Sequence, residues 1–254
     1  MAGRLEGKIA IITGGSRGIG AAIAQSYARE GAKVIIASRK QEALDVTAAA
    51  INELYPDSTV GKACHTGDGD AIIGLVDWVE AEYGRPNVLV NNAATNPYFG
   101  PMLGISDGQW NKTFDVNLKG YFEPARQVCK RLLDHNEPGS IIMVSSVAGM
   151  RAAPMQGVYG MTKAAILSMV QSLAYELGEA KIRVNAVSPG LVDTRLASAI
   201  VASEDFTKHF TDKTALKRYA QPSELAEIFV YLASDESSYV TGQNLVVDGG
   251  FTIS

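Results

Sequence analysis

The chain has 254 residues, 46% hydrophobic and 20% charged, a globular balance that excludes disorder over its bulk. With 23 basic against 27 acidic residues the net charge is -4, so the cationic excess that a nucleic-acid phosphate backbone requires is missing. No apolar run approaches the roughly 18 residues of a bilayer-spanning helix, and residues 1–8 leave no room for a signal-peptide apolar core before the first strand, which predicts a cytoplasmic protein without a membrane partner.

Apolar runs recur in chain order at residues 9–13, 34–38, 60–64 (the weakest), 88–92, 141–145, 184–188 and 245–247. They are continuous rather than alternating, as expected of strands covered on both faces. Most are separated by helix-length segments with 3.6-residue apolar spacing. The expectation is therefore an α/β fold, a doubly wound Rossmann domain with a seven-stranded parallel sheet flanked by helices. Ser106-Asp107-Gly108-Gln109 has the form of a capping box and opens a long helix through Trp110, Phe114, Leu118 and Phe122. Pro222 suits the first turn of a helix through Leu225, Ile228 and Leu232. No linker, repeat or charge block divides the chain, so residues 1–254 read as one domain, with 195–217 as a candidate lid. Cys64 and Cys129 form no CxxC pair and read as reduced, buried thiols.

After the first strand comes Thr13-Gly14-Gly15-Ser16-Arg17-Gly18-Ile19-Gly20, then a helical run. Glycines there allow a tight turn and a close backbone approach, so amides at the helix N-terminus can face a pyrophosphate. Chance produces such a spacing about 0.01 times in a chain of this composition. Gly14-Gly15-Ser16-Arg17-Gly18 also satisfies G-x-S-x-G, the nucleophile elbow of serine hydrolases. That alternative, with Ser16 as nucleophile, needs a late histidine, and His209 is the only one.

Tyr159 and Lys163 stand four apart in a helical run and share a face. An ammonium beside a phenol favours the phenolate, which gives the pair an acid/base use. About 0.5 such pairs arise by accident, so context matters. The strand ending at Ser146, thirteen residues before Tyr159, places a hydroxyl at a strand C-terminus, where parallel sheets bind ligands. His65, Asp68 and Asp70 invite a metal reading, but a carboxylate capping the next helix accounts for them better, and no metal is expected.

These motifs, with Asn91-Asn92-Ala93-Ala94, Asn117 in Asp115-Val116-Asn117-Leu118, Pro189-Gly190 and the tail Thr241-Gly242-Gln243 to Asp248-Gly249-Gly250, resemble the short-chain dehydrogenase/reductase family over the whole chain. The resemblance implies that Tyr159 is the general acid/base and that Ser146 bonds the substrate oxygen. Lys163 would lower the Tyr159 pKa and grip the nicotinamide ribose, and Asn117 would hold a water behind Lys163. It implies cofactor contacts at Gly14, Ser16, Arg17, Gly18, Ile19, Gly20, Asn92, Pro189 and Gly190, with Val192 and Thr194 on the carboxamide. His65-Thr66 stands where the family usually has Asp-Val or Asn-Val against adenine, and Ala94 where it usually has Gly. An NAD site wants a carboxylate about 20 residues past the loop. Ser38-Arg39-Lys40 stands there instead, with Arg17 in the loop, which favours NADP(H) over NAD(H).

Residues 91–100 and the end of strand two look most like NADPH-dependent carbonyl and retinol reductases, implying a small apolar carbonyl or alcohol substrate. Tyr98, Phe99, Met102, Met150, Met155, Leu191, Leu196 and Phe206 are the candidate pocket. The alternative is a 3-oxoacyl-carrier-protein reductase, whose two carrier-gripping arginines would fall at Glu137 and Ala180 here. A homotetramer through the two long helices and the tail is a further implication of the resemblance.

Overall fold

Each apolar run becomes a strand in the computed structural model, which describes residues 3–201 and 203–254. The strands are β1 (Ile9–Thr13), β2 (Lys33–Ser38), β3 (Thr59–Ala63), β4 (Val88–Asn91), β5 (Gly139–Val144), β6 (Ile182–Pro189) and β7 (Asn244–Val247). All pair in parallel, in the order β3-β2-β1-β4-β5-β6-β7. The intervening helices are α1 (Gly18–Arg29), α2 (Gln41–Leu54), α3 (Gly69–Tyr83), α4 (Asp107–Phe114), α5 (Gly120–His135), α6 (Gly157–Leu177), α7 (Ser198–Val201), α8 (Glu204–Lys213) and α9 (Ser223–Ala233).

The continuous apolar runs are explained by two cores, one on each side of the sheet. Ala10 and Ile12 of β1 enter the core under α1, α2 and α9, while Ile11 between them enters the core under α3, α5 and α6. Val34 and Ile36 of β2 alternate in the same way with Ile35 and Ala37. The strand order reverses direction between β1 and β4, so the chains leaving those two strands diverge and open a crevice at their C-terminal ends. This is the expected doubly wound Rossmann domain.

Two helix expectations need adjustment. The capping box at Ser106 and Gln109 is present, but the long helix it opens is interrupted by a π-helical turn at Asp115–Lys119 before α5 begins. Its pivot is Asn117, fully buried, whose amide bonds both the N–H and the carbonyl of Thr95. Satisfying that loop from inside the helix requires the wider turn. Pro222 sits at the cap of α9, one residue ahead of the helix. Asp68 caps α3 through the amides of Asp70 and Ala71, as expected.

Segment 195–217 leaves the body of the domain between two pinned ends. Val192 and Ala220 form a parallel bridge, closed by backbone bonds from Asp193 to Ala220 and from Ala220 to Leu191. Within it, Phe210 stacks on Phe251 of the tail at a ring separation of 4.0 Å, and the Leu216 N–H bonds the Gly249 carbonyl. No described helix is long and apolar enough to cross a membrane.

Candidate active site

The loop between β1 and α1 is shaped by what glycine permits. Gly14 and Gly18 adopt φ of 69° and 56°, the left-handed region that side chains disfavour. A Cβ on Gly20 would lie 2.5 Å from the Gly14 carbonyl oxygen, so only glycine lets α1 start this close to β1. Asn92, at the end of β4, donates to the carbonyls of Thr13 (2.9 Å) and Gly14 (3.3 Å), and the Thr13 hydroxyl accepts the N–H groups of Asn92 and Ala93. The loop is thus clamped from the neighbouring strand. α1 begins with no side-chain cap and no acidic residue in its first turn, unlike α3, so its leading amides stay available to an anion.

In front of this loop lies a cleft of about 580 Å³. It gathers Gly14, Ser16, Arg17, Gly18, Ile19, Ser38, Arg39, His65, Thr66, Asn92 and Thr194, eleven of the residues singled out for cofactor contact. Arg17, Arg39, Lys40, Lys112 and Arg195 put five cations on its walls, and no carboxylate lines it. None of the five forms an ion pair among the described residues. Lys112 of α4 and Arg195 were not foreseen, because no motif marks them and only the tertiary fold brings them to the cleft. Gly20, Pro189, Gly190 and Val192 do not line it. Gly20 acts through backbone packing, a Cβ on Gly190 would lie 2.8 Å from the Asp248 Cα, and Val192 is buried in the bridge to Ala220.

The hydrolase alternative fails at Ser16. A nucleophile elbow needs a strained serine, but the left-handed positions in this loop are Gly14 and Gly18, and Ser16 is not among the residues with positive φ. Its carbonyl accepts from Thr47, and its side chain bonds neither His65 nor His135 among the described residues. His65 instead accepts from the Gly67 N–H, and His135 bonds the Arg131 carbonyl. The side chain of His209 lies outside the described residues.

Ser146, Tyr159 and Lys163 meet beyond the end of β5. Gly149 and Gly160 allow the turn at Val147–Gly149 to press against α6: a Cβ on Gly149 would stand 2.6 Å from the Lys163 backbone. Ser145 points inward and donates to the Lys163 carbonyl, while the Ser146 Oγ accepts from Ala148 and so keeps its proton to give. Burial pushes the Tyr159 phenol up to about 12, against the opposing effect of a hydrogen bond with Ser146. Burial likewise pushes the Lys163 ammonium down to about 7. Lys163 Nζ lies 5.5 Å from the Tyr159 ring centre and donates to the Val144 carbonyl (2.7 Å) and the Tyr121 hydroxyl (3.0 Å). Asn117 faces Thr95 and Thr162 rather than Lys163.

A cavity of only about 10 Å³, room for about one water, adjoins Tyr159. Of the candidate apolar residues it contains Tyr98, Met102 and Met155. Leu196 faces the larger cleft, Leu191 is buried, Phe99 and Met150 are partly exposed, and the side chain of Phe206 lies outside the described residues. Asn96 and Gln156, unforeseen, face each other across this pocket with Nδ2 to Oε1 at 3.2 Å. Met155 carries a φ of 66°, a strained non-glycine conformation held by the Gly100 N–H on its carbonyl.

The chain as a whole is similar to known proteins. A family model described as enoyl-(acyl carrier protein) reductase matches residues 14–252. Dehydrogenase/reductase SDR family member 4 of Caenorhabditis elegans is 36% identical over 250 residues, covering 97% of this chain and 96% of that one. The chain belongs to the short-chain dehydrogenase/reductase family. A short-chain dehydrogenase/reductase SDRA of Arabidopsis thaliana is also 36% identical, with 97% and 95% covered. The crystal structure of a short-chain type dehydrogenase/reductase from Mycobacterium marinum superposes with a TM-score of 0.93 at 33% identity, covering 98% and 97% of the two chains. A gluconate 5-dehydrogenase from Burkholderia cenocepacia J2315, solved with NADP and tartrate, gives the same TM-score at 30% identity, covering 99% and 97%. As a member of this family the protein is an oxidoreductase acting on an alcohol or carbonyl group with NAD(P).

Proposed function

We propose that this short-chain dehydrogenase/reductase uses NADP(H) to interconvert a carbonyl and a secondary alcohol, with Tyr159 as the acid/base. The observation that carries the cofactor choice is the set of five cations on a cleft without a carboxylate. Ser38 and Arg39 at the end of β2, with Arg17 opposite, suit a ribose 2′-phosphate. The glycine loop and the uncapped start of α1 suit its pyrophosphate. Bound there, the cofactor supplies or accepts the hydride.

The chain's own groups handle the proton and the orientation. Burial keeps Tyr159 a phenol at neutral pH, the form that donates to a carbonyl oxygen gaining charge. Ser146, whose Oγ accepts from the Ala148 N–H, has its own O–H to give to the same oxygen and holds the carbonyl against Tyr159. Lys163 grips the ribose, and Asn117 braces the 95–96 loop that forms the far wall of the pocket.

Tyr98, Met102 and Met155 favour apolar groups beside the carbonyl, while Asn96 and Gln156 offer one polar contact. A carrier-bound 3-oxoacyl group is the weaker reading. Glu137 is held in an ion-pair network with Arg85, Glu80, Arg131 and Asp77, so it neither presents a cation nor leaves those two arginines unpaired for an acidic carrier. We propose a cytoplasmic homotetramer, as is common in the family, and segment 195–217 as the lid.

The test pairs calorimetry with absorbance at 340 nm on a panel of ketones, keto acids and a carrier-bound 3-oxoacyl group. NADPH is expected to bind at least tenfold more tightly than NADH, and Arg39→Ala to erase most of that difference. Tyr159→Phe should bind NADPH within twofold of the parent and lose roughly 10² to 10⁴ in turnover. NADH affinity equal to that of NADPH and untouched by Arg39→Ala would overturn the cofactor assignment. Turnover of Tyr159→Phe within a few fold of the parent would overturn the acid/base assignment, and a hundredfold preference for the carrier-bound group would overturn the substrate.

A further inference from the structure

Tyr121 lies four residues past Asn117, in no motif that the sequence marks, and its side chain is completely buried. Its hydroxyl donates to the Val144 carbonyl at 3.1 Å and accepts from Lys163 Nζ at 3.0 Å, and Nζ itself donates to the same carbonyl at 2.7 Å. The three atoms close a triangle at the C-terminal end of β5. The Tyr121 ring adds a cation–π contact, its centre 4.7 Å from Nζ. The residue is anchored in turn by Asn91 of β4, which donates to its carbonyl at 2.8 Å. An ammonium has three N–H donors. With two committed to Val144 and Tyr121, one is left.

We propose that Tyr121 is a positioning residue for Lys163, holding the buried ammonium charged and turned so that its one remaining N–H meets the cofactor ribose. This rests on the reading of Lys163 as the ribose-gripping residue. The chemistry favours a phenol in this place. Burial keeps Tyr121 neutral well above its ordinary range, so it remains an acceptor for the ammonium at any pH where the protein works. A carboxylate there would neutralise Lys163, and an aliphatic side chain would leave a buried cation with a single partner. Tyr121 and Tyr159 are the titratable groups whose rings face Nζ, and no carboxylate pairs with it among the described residues.

Tyr121→Phe keeps the ring and removes the hydroxyl, so the fold is expected to survive. Three readouts apply: NADPH affinity by calorimetry from pH 5 to 9, the pH profile of kcat, and Tm. Losing one partner makes the ammonium release its proton more readily. The pH above which NADPH binding weakens should therefore fall by about one unit, and affinity at pH 8 should drop roughly tenfold. Below pH 6 the variant should approach the parent, since Lys163 is charged in both. Asn91→Ser is the comparison: it loosens the backbone of Tyr121 but leaves the hydroxyl, and should lower Tm while leaving the pH midpoint where it is. The proposal is overturned if Tyr121→Phe keeps the parent midpoint and affinity, or if Asn91→Ser moves the midpoint as far. A Lys163→Met variant separates the two levels. If it loses NADPH affinity while Tyr121→Phe does not, the positioning role alone is wrong. If it keeps parental affinity, the ribose reading falls and this proposal falls with it.

Discussion

The two sides of the cleft are built by different means. On the nucleotide side the walls come from strand ends and a glycine loop, fixed by backbone bonds from Asn92 and Thr13 and by contacts that admit no Cβ at Gly20. On the substrate side they come from two separate segments, 96–105 and 155–159, held by side chains such as the Asn96–Gln156 pair and by one strained residue, Met155. A site made of backbone tolerates little and binds one kind of ligand. A site made of side chains on loops can be rewritten without disturbing the sheet.

Matching glycine substitutions should expose that contrast most strongly. In Gly20→Ala the new methyl meets backbone, so the loop must shift, and NADPH affinity is expected to fall by about a hundredfold or more with a lowered Tm. In Gly157→Ala the nearest atoms to the new methyl belong to the Met102 side chain, with Sδ 2.9 Å, Cγ 3.1 Å and Cβ 3.3 Å away, and no backbone is among them. That variant should keep NADPH affinity within threefold and alter only KM for the carbonyl substrate. Calorimetry beside steady-state kinetics reads both, and equal losses of cofactor affinity would erase the distinction.

A smaller effect is expected within the substrate side. Gln156→Leu removes one side of the polar pair facing Asn96. With a hydrogen bond worth about 1 kcal/mol, KM should rise roughly fivefold for ketones carrying a hydroxyl and stay level or fall for purely apolar ones. Identical changes for both classes would show that the pair does not face substrate.

A separate effect is on stability. Lys163 has a folded-state pKa of about 7 against an ordinary 10.5, so between these values the unfolded chain holds more protons than the folded one. Its contribution therefore destabilises fully below pH 7 and fades as pH rises, with a slope of at most about 1.4 kcal/mol per pH unit. Denaturant unfolding at pH 7 and 8.5 should show the parent gaining stability and Lys163→Met gaining less. Above pH 9 the buried thiols of Cys64 and Cys129, raised to about 11 and 12, act in the opposite sense and cap the gain.

What was legible in the sequence follows the same division. The strands, the glycine loop and the Ser146, Tyr159, Lys163 spacing could be read because each is written as a local pattern with a local physical cause. Lys112, Arg195, Asn96, Gln156 and Tyr121 could not, since each reaches the cleft or Lys163 only through the packing of elements far apart in the chain. The π-helical turn at Asp115–Lys119 escaped for a related reason: Asn117 widens the helix in order to satisfy Thr95, 22 residues away. The apolar candidates fared unevenly because hydrophobicity marks a residue as buried without saying whether it meets a ligand or the core.

The bridge between Val192 and Ala220 bears on how such a protein changes over time. Both feet of the intervening segment are fastened to each other by backbone alone, so its closure is fixed whatever lies between them. Doubling the length of a loop whose ends are already joined costs only about 0.6 kcal/mol of closure entropy. Insertions, deletions or a wholly different helix pair between residues 198 and 213, past the cleft-lining Arg195 and Leu196, are thus open to mutation at little risk to the sheet. New substrates could be acquired there while the machinery that handles the hydride stays as it is.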